Sequence, residues 1–271
     1  MKHFFVAAAT VLMLLSSCNT KKTDKPVIEV EKLEEEVACQ VDSLAGLLCE
    51  ITEKKEIKKL FHNPDHFLTD AEKLVKPDYL LSADDIKDLV SLSQKYRAWG
   101  MMIVDSRVRN LYDVNELGDM NRIFETMKND LFIKNIQELK QEDNATALSV
   151  KTFQDFYDLM KENNRMDYFY EATTSMGIEV LYVVSNNPNL YMKHIDDETA
   201  AAISRHFELS VEGLKALRSQ SSSAAAMFKI IDPLIGLKAS NAEEMKKALV
   251  QAKINIALAR QQALESPTDI E

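Results

Sequence analysis

Carboxylates embedded in apolar runs are the residues of this chain best placed to do chemistry. Glu179 lies within Met176-Gly-Ile-Glu-Val-Leu-Tyr-Val-Val184. At a helical period, Phe169, Thr173, Gly177, Val180 and Val184 form one stripe, and Tyr168, Glu171, Ser175, Glu179 and Tyr182 lie on the other side. A carboxylate flanked by tyrosines on a mostly buried helix could hydrogen-bond a polar ligand, for instance sugar hydroxyls. It could equally be tied to an arginine or a tyrosine in the helix packing. The candidate ligand set is therefore Tyr168, Ser175, Glu179 and Tyr182, with that alternative open. Asp105, in Met101-Met-Ile-Val-Asp-Ser-Arg, has a simpler account, because Arg109 follows four residues on and can pair with it. His194 and His206 stand in no pattern that would make either a base beside a nucleophile. The chain has no Gly-x-Ser-x-Gly, His-Glu-x-x-His or Cys-x-x-Cys. No catalytic residue, metal ligand or cofactor is assigned.

Two short stretches invite a metal reading and do not sustain it. Asp113-Val-Asn115-Glu-Leu-Gly118-Asp-Met-Asn121 resembles an EF-hand or dockerin-type calcium loop at Asp113, Asn115, Gly118 and Asn121. Such a loop needs an oxygen ligand at position five and a bidentate Glu at position twelve. Leu117 and Phe124 stand there. A helix–helix connection, with Asp, Asn and Gly making turns, is the expectation. His62 and His66 are four apart, but Pro64 between them removes the helical geometry a pair of ligands would use.

The elements that must position these residues are helices. The chain has 6 Gly and 6 Pro in 271 residues, against roughly 19 and 14 at average usage. An all-β architecture, with a turn every ~8–12 residues, is excluded. No two glycines are close enough for a phosphate-cradling loop. The expected fold is all-α: about eight or nine helices in an irregular antiparallel bundle or a short two-layer array.

The period places these helices. Val30, Leu33, Val37, Val41, Leu44, Leu48 and Ile51 mark an amphipathic helix from 28 to about 60 that Asn63-Pro64 stops. Thr69-Asp-Ala-Glu72 opens a short helix ending before Pro77. Ser82 caps the longest periodic segment, reaching Leu111 and buried on more than one face. Further helices run over 119–139, 152–163, 166–185, 196–218 and 222–238, the last kinked at Pro233. Ile178–Val184 is β-branched, yet the helical period continues through it from Phe169. Ser240-Asn-Ala-Glu243 caps the final helix, striped by Met245, Leu249, Ala252, Ile256, Ala259 and Ala263. Residues 140–148 form the most polar break, dividing the domain at 28–267 into possible halves, 28–140 and 149–267. Gly100 and Gly177 fall mid-helix on core-facing stripes. Glycine costs ~1 kcal/mol there relative to alanine, so another helix or ring should approach closely.

The N-terminus carries the most specific signal. Met1-Lys2-His3 is basic, Phe4–Leu15 holds no charge, and Leu15-Ser16-Ser17-Cys18 follows. A basic start, an apolar run of ~7–15 residues and a small-residue zone make an export signal, too short to span a bilayer. The tetrapeptide resembles the lipobox of bacterial lipoprotein precursors, in a style similar to those of the Bacteroidota. The resemblance implies removal of residues 1–17, lipidation of Cys18 and a tether over 18–27. It also implies a position at the outer membrane facing the periplasm, since Asn19 rather than Asp follows the cysteine. Cys39 and Cys49, ten residues apart on one predicted helix, would lie ~15 Å apart, too far for a disulfide's ~7 Å.

The net charge of −10 disfavours nucleic acid and adsorption to anionic lipid headgroups, so lipid at Cys18 is the expected membrane contact. The sequence reads as a non-enzymatic cell-envelope lipoprotein, a helical binding or scaffold module with an envelope-protein partner. A carrier or sensor of a small polar ligand, with a pocket at Tyr168, Glu179 and Tyr182, is the alternative.

Overall fold

The computed structural model describes residues 80–109, 114–131 and 153–267. The expectations for the leader, the tether, the first helix, Cys39, Cys49, His62, His66 and the polar break at 140–148 lie outside those residues. Within them the protein is all-α, as expected. The helices are α1 Ala83–Lys87, α2 Leu92–Arg109, α3 Val114–Asn129, α4 Phe153–Glu162, α5 Met166–Asn186, α6 Pro188–Tyr191, α7 Asp197–Leu217, α8 Ser222–Ile231 and α9 Ala242–Glu265. There is no strand among the described residues. No described helix is long and apolar enough to cross a membrane.

α5 is the hub. It packs against α2, α4, α7, α8 and α9, with α2 its most extensive neighbour. All but three of its residues are buried. A helix covered on all sides should be apolar all round, yet α5 carries Asp167, Glu171, Thr173, Thr174, Ser175 and Glu179 into the core. The run Ile178–Val184 is helical, because tertiary burial overrides its β-branched propensity. Aromatic rings fill the space between α2, α4 and α5. Tyr96 stacks on Tyr168 at 4.5 Å between centroids, and Phe156 sits between Trp99 at 5.2 Å and Phe169 at 5.3 Å.

Four local expectations need correction. The segment expected to run unbroken from Ser82 is two helices. Ser82 caps α1 through a capping box with Asp85, and the chain then breaks. Ser91 opens α2 through a second reciprocal pair: its Oγ accepts from Gln94 N–H at 3.1 Å and Gln94 Oε1 accepts from Ser91 N–H at 3.1 Å. The Ser-x-x-Gln signature was visible at 91–94 and outcompetes helical continuity. α3 starts at Val114, so Asn115, Gly118 and Asn121 are helical rather than a loop or turns. Pro233 ends α8 and starts a 3-10 turn, Asp232–Leu234, because its ring is accommodated only in a first helical turn. The cap of α9 is Asn241, which accepts from Glu244 N–H, one residue beyond the expected Ser240.

Gly100 and Gly177 are both points of close approach. A Cβ on Gly100 would overlap the Ala172 carbonyl oxygen and come within 2.9 Å of its carbon, so α2 meets the backbone of α5. A Cβ on Gly177 would overlap the His206 imidazole and lie 3.3 Å from Phe207 Cζ on α7. Backbone cannot yield as a flexible side chain can. Gly100→Ala is therefore expected to destabilise the protein by roughly 2 kcal/mol, by overpacking. Gly236, with open space around it, should accept alanine within about 0.5 kcal/mol. Thermal melts of the two variants check this. An unchanged or raised midpoint for Gly100→Ala would contradict the packing of α2 on α5.

Candidate functional site

Four-residue spacing sets Asp167, Glu171, Ser175 and Glu179 in one line along α5, and each carboxylate meets an arginine. Asp167 accepts from Arg165 Nε and Nη2, each at 3.1 Å, and from the Ser221 hydroxyl at 3.0 Å. Ser221 is the N-cap of α8, so this pair also anchors that helix. Arg165 lies over the Tyr168 ring, 3.7 Å from its centroid.

The middle pair is the deepest. Arg97 donates from Nη2 to Glu171 Oε1 at 2.7 Å, and both side chains are 0% exposed. Its Nη1 donates to the carbonyls of Ser266 at 2.9 Å and Ala263 at 3.4 Å. Arg97 thereby occupies the C-terminal end of α9, where free carbonyls and the helix dipole favour a cation. Ser93 hydrogen-bonds Glu171, and its hydroxyl lies 2.7 Å from that of Ser223 on α8. Burial pushes the Glu171 carboxyl up to about 7, although Arg97 and then Ser93 pull it down.

The third cluster holds two carboxyls and one guanidinium. Arg260 of α9 donates from Nε to Glu179 Oε2 at 2.6 Å and from Nη2 to Oε1 at 3.1 Å. This fork-on-fork geometry satisfies both oxygens. Asp105 of α2 stands beside Glu179 and accepts from Leu81 N–H at 2.8 Å. Burial and the adjacent Glu179 charge raise its carboxyl well above the usual carboxylate range, outweighing the Leu81 N–H and Arg260. Asp105 was expected to pair with Arg109. The Arg109 side chain lies outside the described residues, and Asp105 meets Leu81 and Glu179.

The other candidate residues take separate places. Ser175 is buried, with its Oγ 4.0 Å from Met227 Sδ. Tyr168 is buried against Tyr96 and Arg165. Tyr182 is half-buried, with Arg260 4.4 Å over its ring. An open cleft of about 520 Å³ lies between α1 and the end of α9, lined by Tyr182, Arg260, Gln94, Asp88 and Glu265 among others. Tyr182 lines the cleft, and Glu179 lies behind Arg260; Tyr168 and Ser175 are not among the lining residues. His194 ends a 3-10 turn over Met192–His194. His206 is a core residue, and burial lowers its imidazole to about 4, so it is neutral at physiological pH. No group of three or more His, Cys, Asp or Glu that could hold a metal occurs among the described residues.

The residues that sequence reasoning missed are Arg97, Arg165 and Arg260. The signal for the first was present, since an arginine in Ser93-Gln-Lys-Tyr-Arg-Ala-Trp-Gly falls on a face otherwise buried. The chain matches no family model, no curated protein and no solved structure.

Glu171 gives a pH test. In the unfolded chain its carboxyl loses its proton near 4.5, and in the folded protein near 7. Between those values the folded state binds more protons, so this group's contribution is full below 4.5 and declines as pH rises to 7. His206 works in the opposite sense, losing stability as pH falls from 6.5 towards about 4. The two partly cancel in the intact protein. A comparison with Glu171→Gln isolates the first. The stability of wild type minus that of Glu171→Gln, measured by urea denaturation, should fall by roughly 3 kcal/mol from pH 4.5 to 7. A difference that is flat or rises with pH would contradict the burial described.

Proposed function

We propose that this protein is a lipid-anchored cell-envelope module, non-enzymatic, held at the periplasmic face of the outer membrane through Cys18. Its work is binding or scaffolding for an envelope partner. The membrane part of this reading rests on the basic start, the uncharged run Phe4–Leu15 and Leu15-Ser16-Ser17-Cys18. The single observation that supports a scaffold over a carrier is the Arg260 fork on Glu179. The carboxylate best placed by sequence for a ligand already has both oxygens occupied by its own chain. Displacing that arginine would leave a buried charge unpaired, at a cost of roughly 3–5 kcal/mol.

The carrier reading keeps one support, the cleft of about 520 Å³ with Tyr182 and Arg260 in its lining. An aromatic ring beside polar groups in a cavity of that size suits a small polar molecule such as a glycan.

Cys18→Ala is expected to release the protein from the membrane fraction or to leave it unprocessed. Mass spectrometry of the intact protein should find acyl chains on residue 18 as the mature N-terminus. An unmodified N-terminus at another residue would overturn the lipoprotein reading.

A further inference from the structure

α9 has two apolar faces. Met245, Leu249, Ile256, Ala259 and Ala263 are buried against the rest of the domain. Val250, Ile254 and Leu258 are 65%, 74% and 47% exposed. At about 100° per residue these three centre on the direction opposite the buried seam. Three large aliphatics in a line on the outward face of a helix mark a surface meant to be covered. Between Met245 and Leu264 the helix carries Lys246, Lys247, Lys253 and Arg260 and no acid. Lys247 is exposed on the same outward face, and Lys253 at its edge.

The chain itself supplies a complementary segment. Val30, Leu33, Val37, Val41, Leu44, Leu48 and Ile51 repeat at the spacing of an amphipathic helix, and residues 28–60 hold nine acids and five bases, with seven of the acids and one base within 28–50. Glu29, Glu34 and Glu36 fall on the margins of that apolar stripe at the same period. We propose that residues 28–60 dock along the outward face of α9, apolar stripe on Val250, Ile254 and Leu258, with their acids beside Lys247 and Lys253. Residues 61–79 connect the segment to Leu80, and even with the short helix expected after Thr69 they reach up to ~50 Å, enough to bring it to any face of the domain. A segment tethered in this way meets its site at an effective concentration in the ~mM range, which favours it over a second copy at ordinary protein concentrations. The inference does not depend on lipidation of Cys18.

Zero-length carbodiimide cross-linking of the full mature chain tests the contact. Cross-linked peptides joining an acid of residues 28–60 to Lys247 or Lys253, in the monomer band, are expected. The second readout is thiol labelling of Ile254→Cys in a Cys18→Ser, Cys39→Ser, Cys49→Ser background. It should react at least tenfold slower than Gln262→Cys, an exposed position away from the stripe. Adding Val37→Asp and Val41→Asp should bring its rate to that of Gln262→Cys and abolish the cross-links while circular dichroism keeps the helical melt of the domain. Cross-links found only in a dimer band would overturn the proposal in favour of a second copy. Labelling of Ile254→Cys as fast as Gln262→Cys, without cross-links, would overturn docking on this face.

Discussion

A fully buried arginine needs partners from its own fold, and Arg97 ties three helices together. It projects from α2, pairs with Glu171 on α5 and holds the carbonyls of Ala263 and Ser266 at the end of α9. The desolvation of two ions costs several kcal/mol each, and only close geometry with further hydrogen bonds offsets it. That requirement fixes the rotation of α2 and α5 about their axes and the point at which α9 stops. Hydrophobic burial stabilises the domain but is tolerant of small rotations. The ion pair is not.

The same logic runs along α5. Asp167 is tied to Arg165 and the cap of α8, and Glu179 to Arg260. Between these polar fixings, Gly100 and Gly177 let α2 and α7 approach more closely than side chains would allow. The hub is therefore held by charge at intervals and by small residues between them. The paired acids and arginines of this core are engaged with one another, and the outward features are two. Those are the cleft between α1 and α9 and the aliphatic line on α9.

The class of fold and most helices were legible because period survives burial: α4, α5, α7 and the seam of α9 follow the apolar spacing closely. The close approach at Gly100 and Gly177 was legible too, since a mid-helix glycine needs an offsetting gain. The break at 88–91 was missed, although Ser91 and Gln94 form a capping box, because the apolar period runs on across it. The identity of the carboxylate partners was not readable. Glu171 and Glu179 announce themselves as charges in apolar runs, but Arg97 and Arg260 lie 74 and 81 residues away. Local spacing offered Arg109 to Asp105 but gave no sign of Glu179, which stands beside Asp105 from a different helix. Long-range pairing of buried charge has no short-range signature.

The dependence of the architecture on Arg97 and Glu171 is tested most directly by a double-mutant cycle. Arg97→Met, Glu171→Gln and the double variant would be unfolded in urea at pH 8, where Glu171 is ionised. The single variants should each be strongly destabilised, and the double variant should recover a coupling energy of about 2 kcal/mol or more, as expected for groups in direct contact. Effects that add to within about 0.5 kcal/mol would mean that the two side chains do not meet and that the hub is held by something else.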